Sequence, residues 1–193
     1  GYAGAIKNVA MGMSCRATKQ VQHSSLKPSV IEEKCTSCAC CVAICPVQAI
    51  SLRGRGVFID RKACIGCGEC LCACKFDAIL INWHEDPHVF CARMADVAKF
   101  ILSKFKNRLF LNFAFDLTKE CDCISTKDEK MISADFGILA SEDILSLDKA
   151  TADLASENIK TNFLKDIKYI YDGMYKYAAE IGLGNPEYNL INL

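Results

Sequence analysis

The sequence lacks a long uninterrupted apolar run, and it lacks any dense block of like charge. A membrane-spanning helix needs a stretch of about 18 or more apolar residues, but Lys99, Lys104 and Lys106 interrupt the most hydrophobic region, which runs from Val97 to Phe115. We therefore predict no membrane span. The 23 basic and 23 acidic side chains cancel, and no basic stripe is available for phosphates, so we predict no nucleic-acid partner.

The sequence also lacks an initiator methionine and a charged leader followed by an apolar stretch, because it opens at Gly1. From this we expect either a missing N-terminal portion or a partner subunit that completes the protein. Cysteine is abundant, with 14 in 193 residues. Secreted disulfide scaffolds are short and loop-rich, whereas this chain has long helical patterns and metal-type cysteine spacings. We therefore predict a reducing compartment, the cytoplasm.

Eight cysteines form two copies of one pattern, offset by 29 residues. The first copy holds Cys35, Cys38, Cys41 and Cys45, and the second holds Cys64, Cys67, Cys70 and Cys74. This spacing is that of bacterial two-cluster ferredoxins, in which three thiolates bind one cluster and the fourth binds the other. We therefore predict two [4Fe-4S] clusters with crossed ligands. One is assigned to Cys35, Cys38, Cys41 and Cys74, and the other to Cys64, Cys67, Cys70 and Cys45.

Two other interpretations of the repeated pattern stay open. The clusters could serve only to stabilise a small fold, since metal binding supplies folding free energy. The cysteines could also bind zinc, although structural zinc sites usually bring two separated pairs of ligands. Two clusters that share ligands across a small segment favour an electron path over either alternative.

The remaining cysteines suggest a further metal or redox site. Cys121 and Cys123 lie on the same side of an extended chain, and with Cys15 and Cys91 they would complete a set of four thiolates. Buried structural cysteines are the alternative interpretation. Cys121, Cys123 and His23 are the candidate catalytic residues, because histidine can move a proton or bind a metal.

The rest of the sequence alternates helical and strand patterns. We predict helices over 87–106, from a cap at Ser141 to 158, and over 162–181 with a stop at Gly182, and strands over 108–115 and 135–139. These elements predict an α/β fold, a layered α/β domain with an inserted α+β ferredoxin-like module. The predicted boundaries are 1–29 for the N-terminal segment of the α/β domain, 30–83 for the insert and 84–193 for the remainder.

Three stretches of the chain resemble the ferredoxin-containing branch of a family called domain of unknown function 362. They are the glycine-rich opening at Gly4 to Gly12 with His23 downstream, the double cysteine pattern, and the segment from Asn112 through Cys121 and Cys123 to Asp148. The resemblance implies an α/β domain that carries the ferredoxin unit as an insert. It also implies that the chain corresponds to the C-terminal part of such a protein.

Three functional hypotheses follow from these patterns. The leading one is an iron-sulfur protein that relays single electrons to or from a redox protein partner or a site on the α/β domain. The second is a redox enzyme, an oxidoreductase component with an additional metal or thiol site around Cys121 and Cys123. The third is a structural or assembly subunit that is stabilised by its clusters. The sequence leaves open whether the chain is itself an enzyme.

Overall fold

The computed structural model describes residues 4–23, 27–81, 86–118, 129–158 and 163–192, with residues 163–169 described by their backbone alone. Within these ranges the chain mixes helix and sheet, which is consistent with the predicted α/β class. None of the helices in these ranges is both long enough and apolar enough to cross a membrane.

Seven α-helices and six strands lie within the described residues. The helices are α1 (Ala5–Lys7), α2 (Arg16–His23), α3 (Cys40–Ile44), α4 (Glu69–Ala73), α5 (Pro87–Leu102), α6 (Ile144–Asn158) and α7 (Phe163–Glu180). The strands are β1 (Ser29–Val30), β2 (Ile50–Arg53), β3 (Gly56–Ile59), β4 (Ile79–Leu80), β5 (Phe110–Ala114) and β6 (Gly137–Ser141). A π-helical segment, Asn8–Gly12, continues α1, and a short 3₁₀-helix covers Glu32–Lys34.

The chain divides into two compact units. The cysteine-rich unit is Ser14–Asp86, and the helical unit combines Gly1–Met13 with Pro87–Leu193. The cysteine-rich unit therefore lies between two parts of the helical unit along the sequence. The predicted boundaries at 29/30 and 83/84 stay predictions.

The cysteine-rich unit is built from two equivalent halves. Helices α3 and α4 start and end 29 residues apart, which is also the offset of the cysteine pattern. The strands pair antiparallel, with Val30 opposite Ile79 in one pair and Ile50 opposite Ile59 in the other. The 29-residue offset relates these two pairs to each other. Ile50, Ile59 and Ile79 are buried together and form the core between the halves.

The helical unit packs α5 against α7, and α6 against the antiparallel β5–β6 pair. Strand residues alternate between the two faces of this pair, so Asn112 and Leu139 are buried opposite each other while Phe113 and Ile138 are exposed. Helix α5 begins at Pro87 as predicted, but it ends at Leu102, before the predicted end at residue 106.

The ends of α6 and α7 test the predicted helix signals. Gly182 follows α7 with φ +72°, and Leu183 N–H donates to the Ala178 carbonyl oxygen at 2.9 Å, a glycine-based helix stop as predicted. The predicted cap of α6 at Ser141 is wrong. Asp143 caps the helix, because its Oδ1 accepts hydrogen bonds from the N–H groups of Leu145 (2.8 Å) and Ser146 (3.0 Å).

Candidate functional site

Two cavities lie in the cysteine-rich unit, and each is lined by four of the repeated cysteines. The first cavity is lined by Cys35, Cys38, Cys41 and Cys74. The second cavity is lined by Cys64, Cys67, Cys70 and Cys45. Of the four repeated cysteines in each cavity, three come from one repeat and the fourth comes from the other. These are the two groups of residues named from the sequence, and their role as ligands stays a prediction.

The loops that carry the first three thiols of each group share an unusual backbone. In the first loop (residues 35–41) Ser37 and Ala39 have φ of 55° and 61°, and in the second loop (residues 64–70) Gly66 and Gly68 have φ of 73° and 75°. The left-handed region suits glycine, whereas it costs other residues about 1–2 kcal/mol each. The first loop keeps this conformation at two non-glycine positions, which is typical of segments shaped by a functional site.

Backbone N–H groups donate to the sulfur atoms of Cys45 and Cys74, the two cysteines that each line the cavity of the other repeat. Ala49 N–H donates to Cys45 Sγ at 3.2 Å, and at the equivalent position Ala78 N–H donates to Cys74 Sγ at 3.4 Å. Gly66 N–H also donates to Cys64 Sγ, at 3.4 Å. Donors of this kind favour the thiolate over the thiol, and around metal sites they orient ligands and tune potential.

The protonation of these thiols indicates what the cavities can hold. Burial, together with repulsion of like charge from the neighbouring Cys64 and Cys67, raises the pKa of Cys70 to about 11. Burial likewise raises the pKa of Cys41. A buried thiol such as that of Cys41 or Cys70 ionises more readily when a positive centre joins it, and a metal deprotonates a coordinating thiol outright. The donor set therefore fits a positively charged inorganic group.

Zinc and a [4Fe-4S] cluster require different separations of their sulfur ligands. Among the residues that the structure describes, no three His, Cys, Asp or Glu side chains are grouped to hold one metal ion. A zinc ion needs all four sulfurs at about 2.3 Å from a single centre. In a [4Fe-4S] cluster each thiolate binds a different iron, so more widely separated sulfurs are needed. The four repeated cysteines that line each cavity supply thiolates, which both kinds of group accept as ligands.

The other predicted site residues lie in different parts of the chain, Cys15 in the cysteine-rich unit and Cys91 in the helical unit. Cys121 and Cys123 lie outside the described residues. Cys15 is exposed, with its Sγ 3.3 Å from the Thr18 hydroxyl, which lowers the pKa of the Cys15 thiol. Cys91 is buried in the helical unit, and burial raises its pKa to about 11. The third metal site stays a prediction.

His23, the third candidate catalytic residue, is half-buried at the end of α2. Its catalytic role also stays a prediction. Sequence reasoning assigned no role to Cys40, which is exposed and lines the first cavity beside the predicted ligands. The equivalent position in the other repeat is Glu69, which lines the second cavity. The 29-residue alignment contains the signal for both positions, because each directly precedes a predicted ligand in its repeat.

Sequence reasoning also missed a buried carboxylate network in the helical unit. Asp148 is 1% exposed, and its oxygens accept hydrogen bonds from Ala5 N–H (2.6 Å), Ile6 N–H (2.8 Å) and Asn112 Nδ2 (2.9 Å). Burial raises the pKa of Asp148, and these three donors oppose that shift. A Cβ at Gly4 would lie 2.5 Å from the carboxylate, so this close approach requires glycine.

The comparisons with known proteins agree with these features. The model of a family described as Domain of unknown function (DUF362) matches residues 1–153. Over 56 residues the chain is 48% identical to one of the subunits of tetrathionate reductase from Salmonella typhimurium, a match that covers 26% of this chain and 22% of that protein.

Two relatives are themselves named ferredoxins. An uncharacterized ferredoxin of Methanocaldococcus jannaschii is 45% identical over 59 residues, which cover 30% of this chain and 36% of that protein. A ferredoxin 7Fe of Hydrogenibacillus schlegelii is 42% identical over 59 residues, which cover 30% of this chain and 72% of that protein. The chain thus spans about a fifth of the length of the tetrathionate reductase subunit and about a third of the length of the Methanocaldococcus jannaschii ferredoxin. It belongs to the DUF362 family, in the branch that contains ferredoxin sequences.

Proposed function

We propose that this chain is an iron-sulfur electron-transfer protein that binds two [4Fe-4S] clusters, one in each cavity. The observation that supports this proposal most directly is the grouping of four thiols around each cavity, three from one repeat and the fourth from the other. The similarity to ferredoxins and to a reductase subunit supports the same class of function.

The proposal assigns a role to each group of residues. Cys35, Cys38, Cys41 and Cys74 hold the first cluster, and Cys64, Cys67, Cys70 and Cys45 hold the second. When bound, the clusters would supply one-electron redox chemistry. The N–H groups of Ala49 and Ala78 stabilise the thiolates of the two crossing ligands. Apolar side chains such as Ile59 and Ile79, which line the cavities, limit the access of water.

The crossed arrangement favours electron relay over a purely structural role. A single metal centre is enough to stabilise a small fold. Two centres that each take a ligand from the other repeat are necessarily close neighbours, which suits the passage of an electron between them. Because one relative is named a reductase subunit, we propose that the partner is another redox protein.

The proposal extends to the organisation of the chain. We propose that the cysteine-rich unit is a ferredoxin-like module inserted into an α/β domain, with boundaries at 29/30 and 83/84. We also propose that the protein works in a reducing compartment, the cytoplasm, because its ligands must stay reduced before the clusters assemble. The twelve cysteines within the described residues are all free thiols.

Iron and sulfide analysis of anaerobically prepared protein tests the number of clusters. The proposal predicts about eight irons and about eight sulfides per chain, with visible absorption that strong reductants bleach. Clusters that resist strong reductants would favour the structural alternative. Zinc in place of iron, or iron well below four per chain in fully reconstituted protein, would overturn the proposal.

The variant Cys45→Ala tests the crossed assignment, with Cys72→Ala as its control. Cys45→Ala should retain about four irons. Alkylation followed by peptide mapping should then find Cys64, Cys67 and Cys70 newly reactive, although all three belong to the other repeat. Newly reactive Cys35, Cys38 and Cys41 would contradict the crossed assignment. Cys72→Ala changes an exposed thiol that lines neither cavity, so it should keep about eight irons.

A further inference from the structure

The two halves of the cysteine-rich unit differ in what packs on their loops. Helix α2 lies against the second loop, where a Cβ at Gly68 would be 2.8 Å from Gln20 Cγ and a Cβ at Gly66 would be 4.0 Å from Val21 Cγ2. Gly68 is buried beneath this contact. The second loop is therefore covered by the side chains of one face of α2.

Polar contacts fix α2 and the residues after it on the second loop. The Arg16 guanidinium donates through two nitrogens to the Glu69 carboxylate, which lines the second cavity. The Lys27 ammonium donates to the carbonyl oxygen of Cys64. Bidentate arginine pairs hold geometry better than single contacts do. The cover of the second site is thus held by both packing and hydrogen bonds.

The first loop cannot be covered in the same way. Ala39 occupies the position that corresponds to Gly68, where a Cβ would lie 2.8 Å from Gln20 Cγ. A side chain placed over the first loop as Gln20 is placed over the second would therefore meet the Ala39 Cβ. Ala39 is half-buried where Gly68 is buried. Cys38 is exposed, whereas its counterpart Cys67 is only partly exposed. The two sites therefore differ at one edge: the first is exposed at Cys38, whereas the second is covered by α2 at Gly68 beside Cys67.

From this asymmetry we propose that the first site is the port at which the chain exchanges electrons with an external one-electron carrier protein. The proposal rests on the proposed function, because it assumes a cluster in each cavity. One electron passes between the first cluster and the carrier, and no covalent bond forms or breaks. The rate of electron transfer falls steeply with the distance between centres, so a carrier reaches the open site more effectively. The covered second site exchanges electrons with that carrier through the first.

Chemical footprinting of the wild-type holoprotein tests the asymmetry. The protein is treated with a hydrophilic iron chelator and a mild oxidant until half of its iron is lost, and the freed thiols are alkylated and mapped. Cys38 should be labelled about tenfold more than its counterpart Cys67, because access governs thiol reactivity and only Cys38 is exposed. Equal labelling of the two, or preferential labelling of Cys67, would overturn the inference. A preparation without about eight irons at the outset would instead contradict the proposed function.

The variant Gly68→Ala tests the role of α2, and Gly54→Ala is its matched control. Both glycines have positive φ, +75° and +58°, but a Cβ at Gly54 meets nothing within 4 Å. The clash with Gln20 should displace α2 and speed iron loss from the second site about tenfold. Gly54→Ala should leave that rate unchanged. If Gly68→Ala cannot be loaded with iron, Gln20→Ala, which removes the covering side chain, should speed the same loss.

Electron exchange tests the port directly, with oxidised cytochrome c as the probe. Its haem is enclosed in protein, so it reports the access that a carrier protein has. Cys67→Ala should retain the first cluster, and Cys38→Ala should retain the second. After reduction, Cys67→Ala, which keeps the first cluster, should reduce cytochrome c about tenfold faster than Cys38→Ala does. The reason is that the haem of the probe can come closer to the first cluster than to the second. Equal rates, or a faster reaction of the variant that keeps the second cluster, would overturn the inference.

Discussion

Replacing Asp148 with asparagine should weaken the contacts that join three distant parts of the helical unit. The carboxylate accepts from Ala5 and Ile6 at the start of the chain and from Asn112 in β5. An asparagine has nearly the same shape, but it offers one acceptor oxygen and one NH₂ donor. Whichever way the amide is oriented, at least one buried N–H group then faces another donor.

The loss in free energy of unfolding follows from the number of buried donors that lose their acceptor. A buried donor left without a partner costs about 1–3 kcal/mol, so Asp148→Asn should lower the free energy of unfolding of the helical unit by about that amount. Asp148→Ala leaves all three donors without the carboxylate and should cost about 3 kcal/mol or more. These losses are large beside the total stability of a typical domain, about 5–15 kcal/mol.

Urea denaturation followed by far-ultraviolet circular dichroism measures these losses. The matched control is Asp153→Asn, which makes the same substitution on the same helix, where the carboxylate is only partly buried and pairs with Lys149. Loss of that pair should cost less than about 1 kcal/mol. If Asp148→Asn were as stable as Asp153→Asn, the reasoning about the buried donors would be refuted.

The pH dependence provides a second check on Asp148. Burial raises its pKa in the folded protein above the ordinary value of 3.8, so the folded state binds the proton more tightly than the unfolded state. The resulting contribution to stability is complete below that ordinary value and falls as pH rises through the folded pKa. The stability difference between wild type and Asp148→Asn should therefore shrink as pH rises from the ordinary value of 3.8 through the raised pKa of the folded protein. A difference that grows with pH would show that hydrogen bonding outweighs burial.

Three further predictions concern residues outside the two cavities. Cys15 should react with iodoacetamide well before Cys91 at pH 8, because Cys15 is exposed with a lowered pKa whereas burial raises that of Cys91 to about 11; equal labelling in a peptide map would contradict this. Asp143→Ala should lower the free energy of unfolding by about 1–2 kcal/mol through loss of the α6 cap, and an unchanged urea midpoint would refute the assignment of that cap. If a third site exists, changing Cys121 and Cys123 together to serine should remove metal beyond about eight irons per chain, whereas unchanged metal content would favour structural cysteines.

The cysteine groups could be anticipated from the sequence because spacing alone fixes most of their geometry. Three cysteines two residues apart within a tight loop must converge, and the 29-residue repeat requires the second half to mirror the first. The stop of α7 was also predictable, because Gly182 takes a local backbone conformation that glycine favours. These features depend on neighbouring residues more than on distant contacts.

Other features depend on contacts that no local pattern contains. Ser141 and Asp143 are both good capping residues, and only the positions of the first N–H groups of α6 show that Asp143 is the cap. The Asp148 network joins residues up to 143 positions apart. Its one signal in the sequence was a charged residue on the apolar face of α6, beside Ile144 and Leu147.

The difference between the two loops depends on a contact from outside the repeats. The 29-residue alignment places Ala39 where the second loop has Gly68. The structure provides a steric reason, because Gln20 approaches Gly68 too closely for any side chain at that position. That contact arises from the packing of α2, which the local pattern around the cysteines does not specify.

A crystal structure of the anaerobic holoprotein, with an anomalous difference map at the iron absorption edge, tests the central claim most directly. The account predicts two groups of four irons, with Cys74 bound to the group beside Cys35 and Cys45 bound to the group beside Cys64. A map in which Cys45 and Cys74 each bind the irons of their own repeat would contradict it. So would a map with no iron in either cavity.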